Sequence, residues 1–149
     1  MTSLPTRLLP PVDDDSREFW TAGKTGALRL PFCGSCARWN FPPSRRCQAC
    51  GGTAEYRTLS GKGRVFTYTV NHHPYNPAVP VPYLIAIVEL AEQDGLRFTT
   101  NVVNCPLEEV AVGMAVQVLF EEQGEVYVPI FEPDTGPGAT AQISEEDAR

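Results

Sequence analysis

Four cysteines are the residues of this chain whose types and spacing could most readily do chemistry. Cys33 and Cys36 form one Cys-x-x-Cys pair, Cys47 and Cys50 form a second, and ten residues separate the two pairs. Each spacing lets two thiolates reach one ion from a tight turn, which the small residues within and after the pairs permit. The pattern therefore predicts a zinc site of the ribbon type, with these four cysteines as ligands.

Two disulfides are the alternative use of the same four cysteines. Disulfides need an oxidising compartment, and the N-terminal segment lacks the continuous apolar core of a secretory signal, so zinc is favoured. Four thiolates fill the coordination shell of zinc, whereas a catalytic zinc keeps one position open for water or substrate. The metal is therefore predicted to be structural, and any catalytic group must be sought elsewhere.

The rest of the sequence offers few candidates for catalysis. Cys105 stands beside an apolar stretch without a nearby base, which favours a buried apolar side chain over a nucleophile. His72 and His73 are adjacent in a proline-rich segment, and neighbours in an extended chain point apart, so they make a poor metal pair. One of them could act as an acid or base in a pocket formed with a partner. A plain surface loop is the alternative, and no catalytic residue is assigned.

Basic residues are concentrated around the cysteines, although the whole chain is acidic. The net charge is −6, yet the segment from Arg29 to Arg64 holds seven basic residues and one acidic residue. A zinc ion with four thiolates carries a charge of about −2, so this segment keeps a positive field. Such a field suits phosphate groups or an acidic partner. A solvated surface that balances the zinc cluster is the alternative interpretation.

Composition indicates a small β protein rather than a helical bundle. The 149 residues include fourteen prolines and twelve glycines, which favour many turns and short elements. The hydrophobic content of 42% is ordinary for a globular chain, and no apolar run approaches the length of a membrane span. We therefore expect no membrane segment and, by default, a cytoplasmic location.

The elements that would position the cysteines begin with a short helix. Within the leader, residues 1–26, an acidic run ending in a serine precedes the segment Arg17 to Gly23, which is predicted to form a capped helix. So short a helix is marginal alone. Its aromatic residues, Phe19 and Trp20, are therefore expected to pack against the rest of the chain or against another subunit.

Residues 27–59 are predicted to form the zinc ribbon. Between its cysteine pairs, Trp39 and Phe41 lie among basic residues. Such a mixture could stack a nucleobase and hold phosphates. The same two rings could instead supply the small core of a ribbon that has few other large apolar side chains. Both interpretations remain open from the sequence.

Residues 60–132 are predicted to form an OB-fold barrel. Alternating or continuous apolar patterns separated by turn residues mark five short strands, and one helical turn that begins at Pro106 separates the third strand from the fourth. That order of elements matches a five-stranded OB-fold. Residues 133–149 are rich in Gly, Pro, Ala and acidic residues and are predicted to form a flexible tail.

The helix, the cysteine pairs and the glycines that follow them resemble the DUF35 family. The resemblance runs from about Phe19 to about Pro133 and includes all four cysteine positions. The segments that carry it are Leu28-Arg29-Leu30-Pro31-Phe32-Cys33, Trp39-Asn40-Phe41-Pro42-Pro43 and Gly61-Lys62-Gly63-Arg64-Val65. The resemblance implies a mainly β fold in which a short N-terminal helix and a rubredoxin-like zinc ribbon precede an OB-fold barrel.

The same resemblance implies an accessory subunit that acts with a thiolase-superfamily protein on acyl-CoA esters. Among such partners we favour a steroid side-chain aldolase, in which the partner carries the catalytic groups and this chain is not catalytic alone. The cofactor is a structural zinc ion, and an acyl-CoA ester is a possible ligand. The basic residues expected to contact CoA phosphates or the partner are Arg45, Arg46, Lys62 and Arg64.

Two other functions use the same elements. Zinc ribbons and OB-folds can bind RNA or single-stranded DNA, but the acidic net charge and ordinary aromatic content make a nucleic-acid partner unlikely. The chain could also be a free-standing acyl-CoA-binding protein. Five-stranded barrels of this size have filled interiors, so a long acyl chain or sterol would fit better between subunits.

Overall fold

The computed structural model describes residues 7–136 and is mainly β, as the sequence predicts. A three-stranded sheet forms the ribbon, and a five-stranded sheet forms the OB-fold unit that follows it. One short α-helix precedes both sheets. Residues 1–6 of the leader and residues 137–149 of the acidic tail lie outside the described residues.

The leader helix ends in a different way from the predicted one. Helix α1 spans Arg17–Thr21, and a 3₁₀ turn over Ala22–Thr25 continues it. The sequence predicts that the helix ends near Gly23. The residue with left-handed backbone that ends the helical segment is instead Gly26, with φ of 77°. Glycine adopts this conformation without the steric cost that a Cβ would bring.

The start of the helix is held by an aspartate rather than by a serine cap. The Ser16 side chain makes no capping hydrogen bond to the helix. Instead, the Asp13 carboxylate accepts hydrogen bonds from the amide of Ser16 at 2.8 Å and from its hydroxyl at 2.7 Å. These hydrogen bonds lower the pKa of Asp13. The acidic run therefore forms a turn that starts the helix.

The ribbon is built on three antiparallel strands. They are β1 (Leu28–Cys33), β2 (Arg38–Trp39) and β3 (Ala54–Leu59), and β1 lies between the other two. Strand β1 leads directly into the first cysteine pair, and the pairing of Cys33 with Ala54 aligns the start of β3 with it. The sheet therefore supports the cysteines from below.

The second sheet has the five strands that the sequence predicts. In chain order they are β4 (Lys62–Asn71), β5 (Tyr83–Leu90), β6 (Arg97–Thr100), β7 (Ala115–Gln123) and β8 (Val126–Pro133). Their order across the sheet is β6-β5-β4-β7-β8. The predicted helical turn is a 3₁₀ helix over Leu107–Glu109, between β6 and β7. This arrangement is that of an OB-fold.

Contacts between the two ends of this sheet curl it into a half-barrel. A parallel bridge pairs Val102, just after β6, with Phe131 in β8. The amide of Val103 donates to the carbonyl of Phe131 at 2.8 Å, and the buried Thr100 hydroxyl donates to the carbonyl of Pro129 at 3.0 Å. The sheet is therefore closed on the side where β6 meets β8.

One aromatic cluster joins the helix, the ribbon and the barrel. Phe19 of α1 lies 5.8 Å from Phe41 of the ribbon and 6.5 Å from Phe98 of β6, between ring centroids. Phe98 in turn lies 5.4 Å from Phe41 and 5.5 Å from Phe131 of β8. All four belong to the main hydrophobic core. The helix is therefore part of the folded unit, and its aromatic residues pack within the chain.

A glycine allows the 3₁₀ turn to press against the barrel. Gly23 is buried, and a Cβ added there would lie 2.6 Å from Cβ of Tyr127 and within reach of the Phe120 ring. Atoms this close cannot coexist, so the approach requires glycine. The leader is thereby fixed to strands β7 and β8.

The turn between β5 and β6 holds the ribbon on the barrel. The Gln93 side-chain carbonyl accepts from the Trp39 amide at 2.8 Å, and its NH₂ group donates to the Trp39 carbonyl at 3.3 Å. Nearby, the Glu92 carboxylate accepts from the Ser60 amide at 2.7 Å. Because this turn bonds both to β2 of the ribbon and to the residue after β3, it holds the two sheets together.

The first residues of the segment predicted as a flexible tail are held on the barrel. Pro133 is the last residue of β8, and the Asp134 amide donates to the carbonyl of Ala115 at 2.9 Å. The Asp134 carboxylate also pairs with Lys62 at 2.9 Å.

Within residues 7–136, no helix has the length and apolar character needed to cross a bilayer.

Candidate metal centre and basic surface

The four cysteine sulfurs converge as the sequence predicts. All four Sγ atoms lie within 4.8 Å of one another. The sulfurs of Cys33 and Cys50 are 3.6 Å apart, as are those of Cys36 and Cys47. Tetrahedral zinc with bonds of about 2.3 Å to sulfur places its ligands about 3.8 Å apart, so these donors fit a zinc ion. All four are free thiols rather than disulfides.

Tight turns on either side of the site aim the sulfurs inward. After the first pair, Ala37 has a φ of 55°, and after the second pair, Gly51 has a φ of 77°. The Gly51 amide donates to the carbonyl of Cys47 at 2.9 Å, and the Cys47 amide donates to the carbonyl of Gly52 at 2.7 Å. Such turns leave several backbone N–H groups directed at the sulfurs.

The four thiols differ in acidity because of these backbone groups. Hydrogen bonds from the backbone amides of Cys50 and Ala49 lower the pKa of Cys47 to about 6, and a bond from the Cys36 amide lowers the pKa of Cys33. Burial, together with the neighbouring sulfurs, raises the pKa of Cys36 to about 12. The backbone amides therefore favour loss of the proton from Cys33 and Cys47 relative to Cys36, and zinc bound by the four sulfurs would favour the thiolate form of each.

A buried asparagine links the two cysteine pairs. The backbone N–H of Asn40 donates to the carbonyl of Pro31 in β1 at 2.9 Å. The side-chain oxygen of Asn40 accepts from the backbone N–H of Gln48 at 2.8 Å. Asn40 is 3% exposed, so these bonds are shielded from water. Sequence reasoning did not select this residue. Its place between two aromatic residues gave no signal apart from its polarity.

Arg45 and Arg46 lie together beside the second cysteine pair. Both line an open cavity of about 420 Å³ with Ser44, Thr53, the two glycines after Cys50 and one acidic residue, Asp15. Arg45 also lines a neighbouring cavity of about 360 Å³, in which Arg29 pairs with Glu18 at 2.7 Å. This part of the ribbon therefore presents several guanidinium groups around open space.

Lys62 and Arg64 lie at the start of β4 and line neither of these cavities. Lys62 pairs with Asp134 and also donates to the Gln117 side chain at 3.1 Å. Arg64 donates to the carbonyl of Gly113 at 3.3 Å. The four predicted basic contacts are thus divided between the ribbon and the barrel, and their role in binding CoA or a partner stays a prediction.

The aromatic residues between the cysteine pairs pack in the core. Trp39 and Phe41 are half-buried and pack against the main hydrophobic cluster. Trp39 also lies 5.0 Å from Phe32 of β1 in an edge-to-face arrangement. Both residues also line a cleft of about 270 Å³ with Arg38 and Arg97. The structure therefore favours the core role over a platform for nucleobases.

The other candidate reactive residues do not form a catalytic group in residues 7–136. His72 and His73 are exposed in the loop between β4 and β5, where the His73 ring lies 4.4 Å from the ring of Tyr75. Cys105 is half-buried rather than fully buried, and burial together with nearby Glu109 raises its pKa. A thiol with a raised pKa is a poor nucleophile at neutral pH.

Arg7 is a structural anchor whose role the sequence does not indicate. Its guanidinium pairs with the Glu121 carboxylate of β7 at 2.7 Å and donates to the side chain of Asn101 at 2.9 Å. This pairing lowers the pKa of Glu121. The leader thus contacts the barrel ahead of the helix, near a mostly apolar cavity of about 400 Å³ that Cys105 also lines.

Two family models match consecutive parts of the chain. The model described as "ChsH2, rubredoxin-like zinc ribbon domain" matches residues 20–55, and the model described as "ChsH2, C-terminal OB-fold domain" matches residues 56–121. A "DUF35 domain-containing scaffold protein" of Methanothermobacter thermautotrophicus is 35% identical over 99 residues, which cover 62% of this chain and 73% of that protein.

The chain belongs to the DUF35 family.

Two longer relatives contain a similar region. A "Probable enoyl-CoA hydratase alpha subunit" of Thermomonospora curvata is 34% identical over 127 residues, which are 83% of this DUF35 chain. A "3-oxo-4,17-pregnadiene-20-carboxyl-CoA hydratase alpha subunit" of Mycobacterium tuberculosis is 30% identical over 125 residues, or 84% of this chain. This DUF35 chain spans only 39% and 40% of those two proteins.

A solved structure has the same fold over nearly its whole matched chain. The structure described as "Ltp2-ChsH2(DUF35) aldolase" is 33% identical in sequence, with a TM-score of 0.74. The match covers 84% of this DUF35 chain and 98% of the other. Both the zinc ribbon and the OB-fold of the present chain therefore have counterparts in a DUF35 protein.

Proposed function

We propose that this DUF35 chain is the non-catalytic accessory subunit of a hetero-oligomeric enzyme that acts on acyl-CoA esters. The partner is a thiolase-superfamily protein, and the reaction is retro-aldol cleavage of a carbon–carbon bond in a steroid side chain. In this division of labour the partner holds the catalytic groups. The DUF35 chain holds the complex together and contributes to the site of the CoA ester.

The similarity to the DUF35 chain of the Ltp2-ChsH2 aldolase carries this proposal. It covers nearly the whole of that chain, so the likeness is not restricted to the zinc site. The relative named as a pregnadiene-carboxyl-CoA hydratase alpha subunit also combines a DUF35-like region with a steroid CoA ester in its name. Both similarities point to a heteromeric enzyme of steroid CoA esters rather than to a nucleic-acid-binding protein.

The chemistry of the described residues agrees with an accessory role. Four cysteine ligands would close the zinc shell and leave no position for substrate. In residues 7–136, neither histidine lies in an enclosed site, and the remaining thiol, Cys105, has a raised pKa. A nucleophile paired with a base is therefore not assembled within this part of the chain.

The guanidinium groups of the ribbon suit the phosphates of CoA. Arg45 and Arg46 border the same open cavity, and arginine binds phosphate through two parallel hydrogen bonds. Lys62 and Arg64 lie on the barrel. The Lys62 ammonium already pairs with the Asp134 carboxylate, so these two residues are less suited to binding phosphate than to contacting the partner. We therefore assign the CoA phosphates to the ribbon and the partner to the barrel.

Complex formation with the partner tests the proposal. The DUF35 chain is co-expressed with a thiolase-superfamily protein from the same organism, and the mass of the complex is measured by size-exclusion chromatography with light scattering. We expect one stable species that contains both chains. A DUF35 chain that elutes alone, with no mass from the partner, would refute the accessory role.

A further inference from the structure

Strand β4 has an unpaired edge along its second half. Its first three residues pair with β7, and the Val65 amide and carbonyl bond to Met114 and Gly113. From Thr67 to Asn71, β4 pairs with β5 on one side, and within residues 7–136 no strand pairs with the other side. The backbone N–H and C=O groups on the unpaired side of this stretch are therefore available to another strand. We call this stretch the open β4 edge.

The open β4 edge gathers most of the exposed large apolar side chains of the described residues. Five of seven such side chains belong to β4 or to the two segments at the ends of its open stretch. They are 36% to 77% exposed: Phe66, Tyr68, Tyr75, Val81 and Val112. The Phe66 ring is the one that faces away from the edge, because the Arg97 guanidinium of β6 lies 3.6 Å from its centroid. Apolar side chains grouped in this way mark interaction surfaces more often than scattered ones do.

The position of Tyr68 shows that the half-barrel is open at this place. In the register of the sheet, Tyr68 lies opposite Ala86, which is fully buried. Residues paired in this way point to the same face, yet Tyr68 is 38% exposed. Among residues 7–136, no strand therefore covers the inner face of the sheet beside this part of β4, because β7 pairs only with the start of β4.

The open β4 edge lacks the features that usually prevent strand pairing. The sequence from Phe66 to Asn71 is Phe-Thr-Tyr-Thr-Val-Asn, with neither charge nor proline. Natural sheets protect free edges with lysine, proline or a bulge. The irregularity between Val65 and Thr67 lies at the start of the stretch and leaves the remaining residues in regular register with β5. An edge of this kind is suited to a bound strand.

We propose that the open β4 edge is the docking surface for an extended, uncharged segment of the partner subunit, which adds to the sheet as a further strand. This inference rests on the proposed function. A strand satisfies the backbone groups along the edge and covers Tyr68 at once, whereas a helix would leave those groups unpaired. A second copy of this chain is the weaker occupant, because the net charge of −6 opposes self-association.

The test compares lysine substitutions in the complex of the full chain with the thiolase-superfamily partner. Tyr68→Lys and Val112→Lys each place a charge beside the edge, and Val112 lies in a turn outside the strands, so that variant keeps the sheet. Leu8→Lys is the matched control, because Leu8 is also a highly exposed apolar residue but lies in the leader. Zinc content and circular dichroism check folding.

We expect both edge variants to weaken binding of the partner by about tenfold or more, while Leu8→Lys binds like the unmodified chain. Hydrogen exchange of amides 66–71 should slow in the complex. Unchanged binding by both edge variants, or unchanged exchange at these amides, would overturn the docking surface while the proposed function stands. Failure of the unmodified chain to bind the partner would overturn both. A homodimer that only the edge variants disrupt would assign the edge to a second copy.

Discussion

At the scale of single residues, the cysteine side chains converge on one point but differ in how readily they lose a proton. Backbone amides lower the pKa of Cys47 to about 6, whereas burial raises the pKa of Cys36 to about 12. The spacing in the sequence was sufficient to predict that the four sulfurs lie close together, because each Cys-x-x-Cys turn directs two of them to one side. The role of Asn40 could not be predicted, since it depends on a contact with β1.

Zinc content tests the metal centre. The unmodified chain should contain about one zinc ion per molecule, and Cys36→Ser or Cys47→Ser should contain close to none, with loss of the ribbon fold. Metal content is measured by plasma mass spectrometry and folding by thermal unfolding. Cys105→Ser is the matched control, because this thiol lies outside the cluster. Zinc retained at full occupancy in both ligand variants would contradict the assignment.

The ion pair between Arg7 and Glu121 predicts a dependence of stability on pH. The pKa of Glu121 is lower in the folded chain than its ordinary value of 4.5. The pair therefore stabilises the fold fully above that value, and its contribution is lost as the pH falls through the lower pKa of the folded state.

Urea unfolding between pH 3 and pH 7 measures this contribution. The free energy of unfolding should fall toward low pH in the unmodified chain, and Arg7→Met should be less stable near neutral pH, with a smaller decline in acid. Lys24→Met removes an exposed positive charge without an ion pair to Glu121 and serves as the control. If the free energy of unfolding fell with pH by the same amount in Arg7→Met and in the unmodified chain, the pair would contribute nothing to the pH dependence of stability.

At the scale of elements, the leader helix joins the two sheets together with the turn between β5 and β6. Phe19 contacts the ribbon and the barrel, and Gly23 presses the following turn against β7 and β8. The strands were predicted well because alternation of apolar residues identifies them. The end of the helix was misplaced at Gly23, because sequence alone does not distinguish a glycine that ends a helix from one that permits close packing.

Substitution of Gly23 tests this close approach. Gly23→Ala should destabilise the chain by about 1–3 kcal/mol, because the added Cβ has no space beside Tyr127 and Phe120. Lys24→Ala, one residue further along and exposed, should change stability by less than about 0.5 kcal/mol. Chemical denaturation measures both. An alanine variant at position 23 that is as stable as the control would mean that the helix does not hold the barrel.

At the scale of the whole molecule, the ribbon carries the zinc centre and the guanidinium groups, and the barrel carries an open strand edge. Resemblance to the DUF35 family predicted the order of these parts. It could not predict which of the four basic residues border open cavities, because that depends on how the ribbon folds around Arg45 and Arg46. Nor could it predict that Asp134 would engage Lys62.

Charge reversal in the ribbon tests the assignment of the CoA phosphates. Arg45→Glu with Arg46→Glu should weaken acyl-CoA binding by the assembled complex by about tenfold or more, because two phosphate-binding groups become repulsive. Isothermal titration calorimetry with an acyl-CoA ester measures the affinity. Lys24→Glu is the control for net charge, since Lys24 is exposed on the leader. Equal affinities in the double variant and the control would remove the ribbon from the CoA site.

Reconstitution of activity tests the central claim most directly. The thiolase-superfamily partner is assayed for cleavage of a steroid side-chain CoA ester while increasing amounts of the DUF35 chain are added. An accessory subunit predicts that the DUF35 chain alone is inactive and that activity rises until the two chains reach a fixed molar ratio, then stays constant. Partner activity that is the same with and without the DUF35 chain would contradict the account, as would cleavage by the DUF35 chain alone.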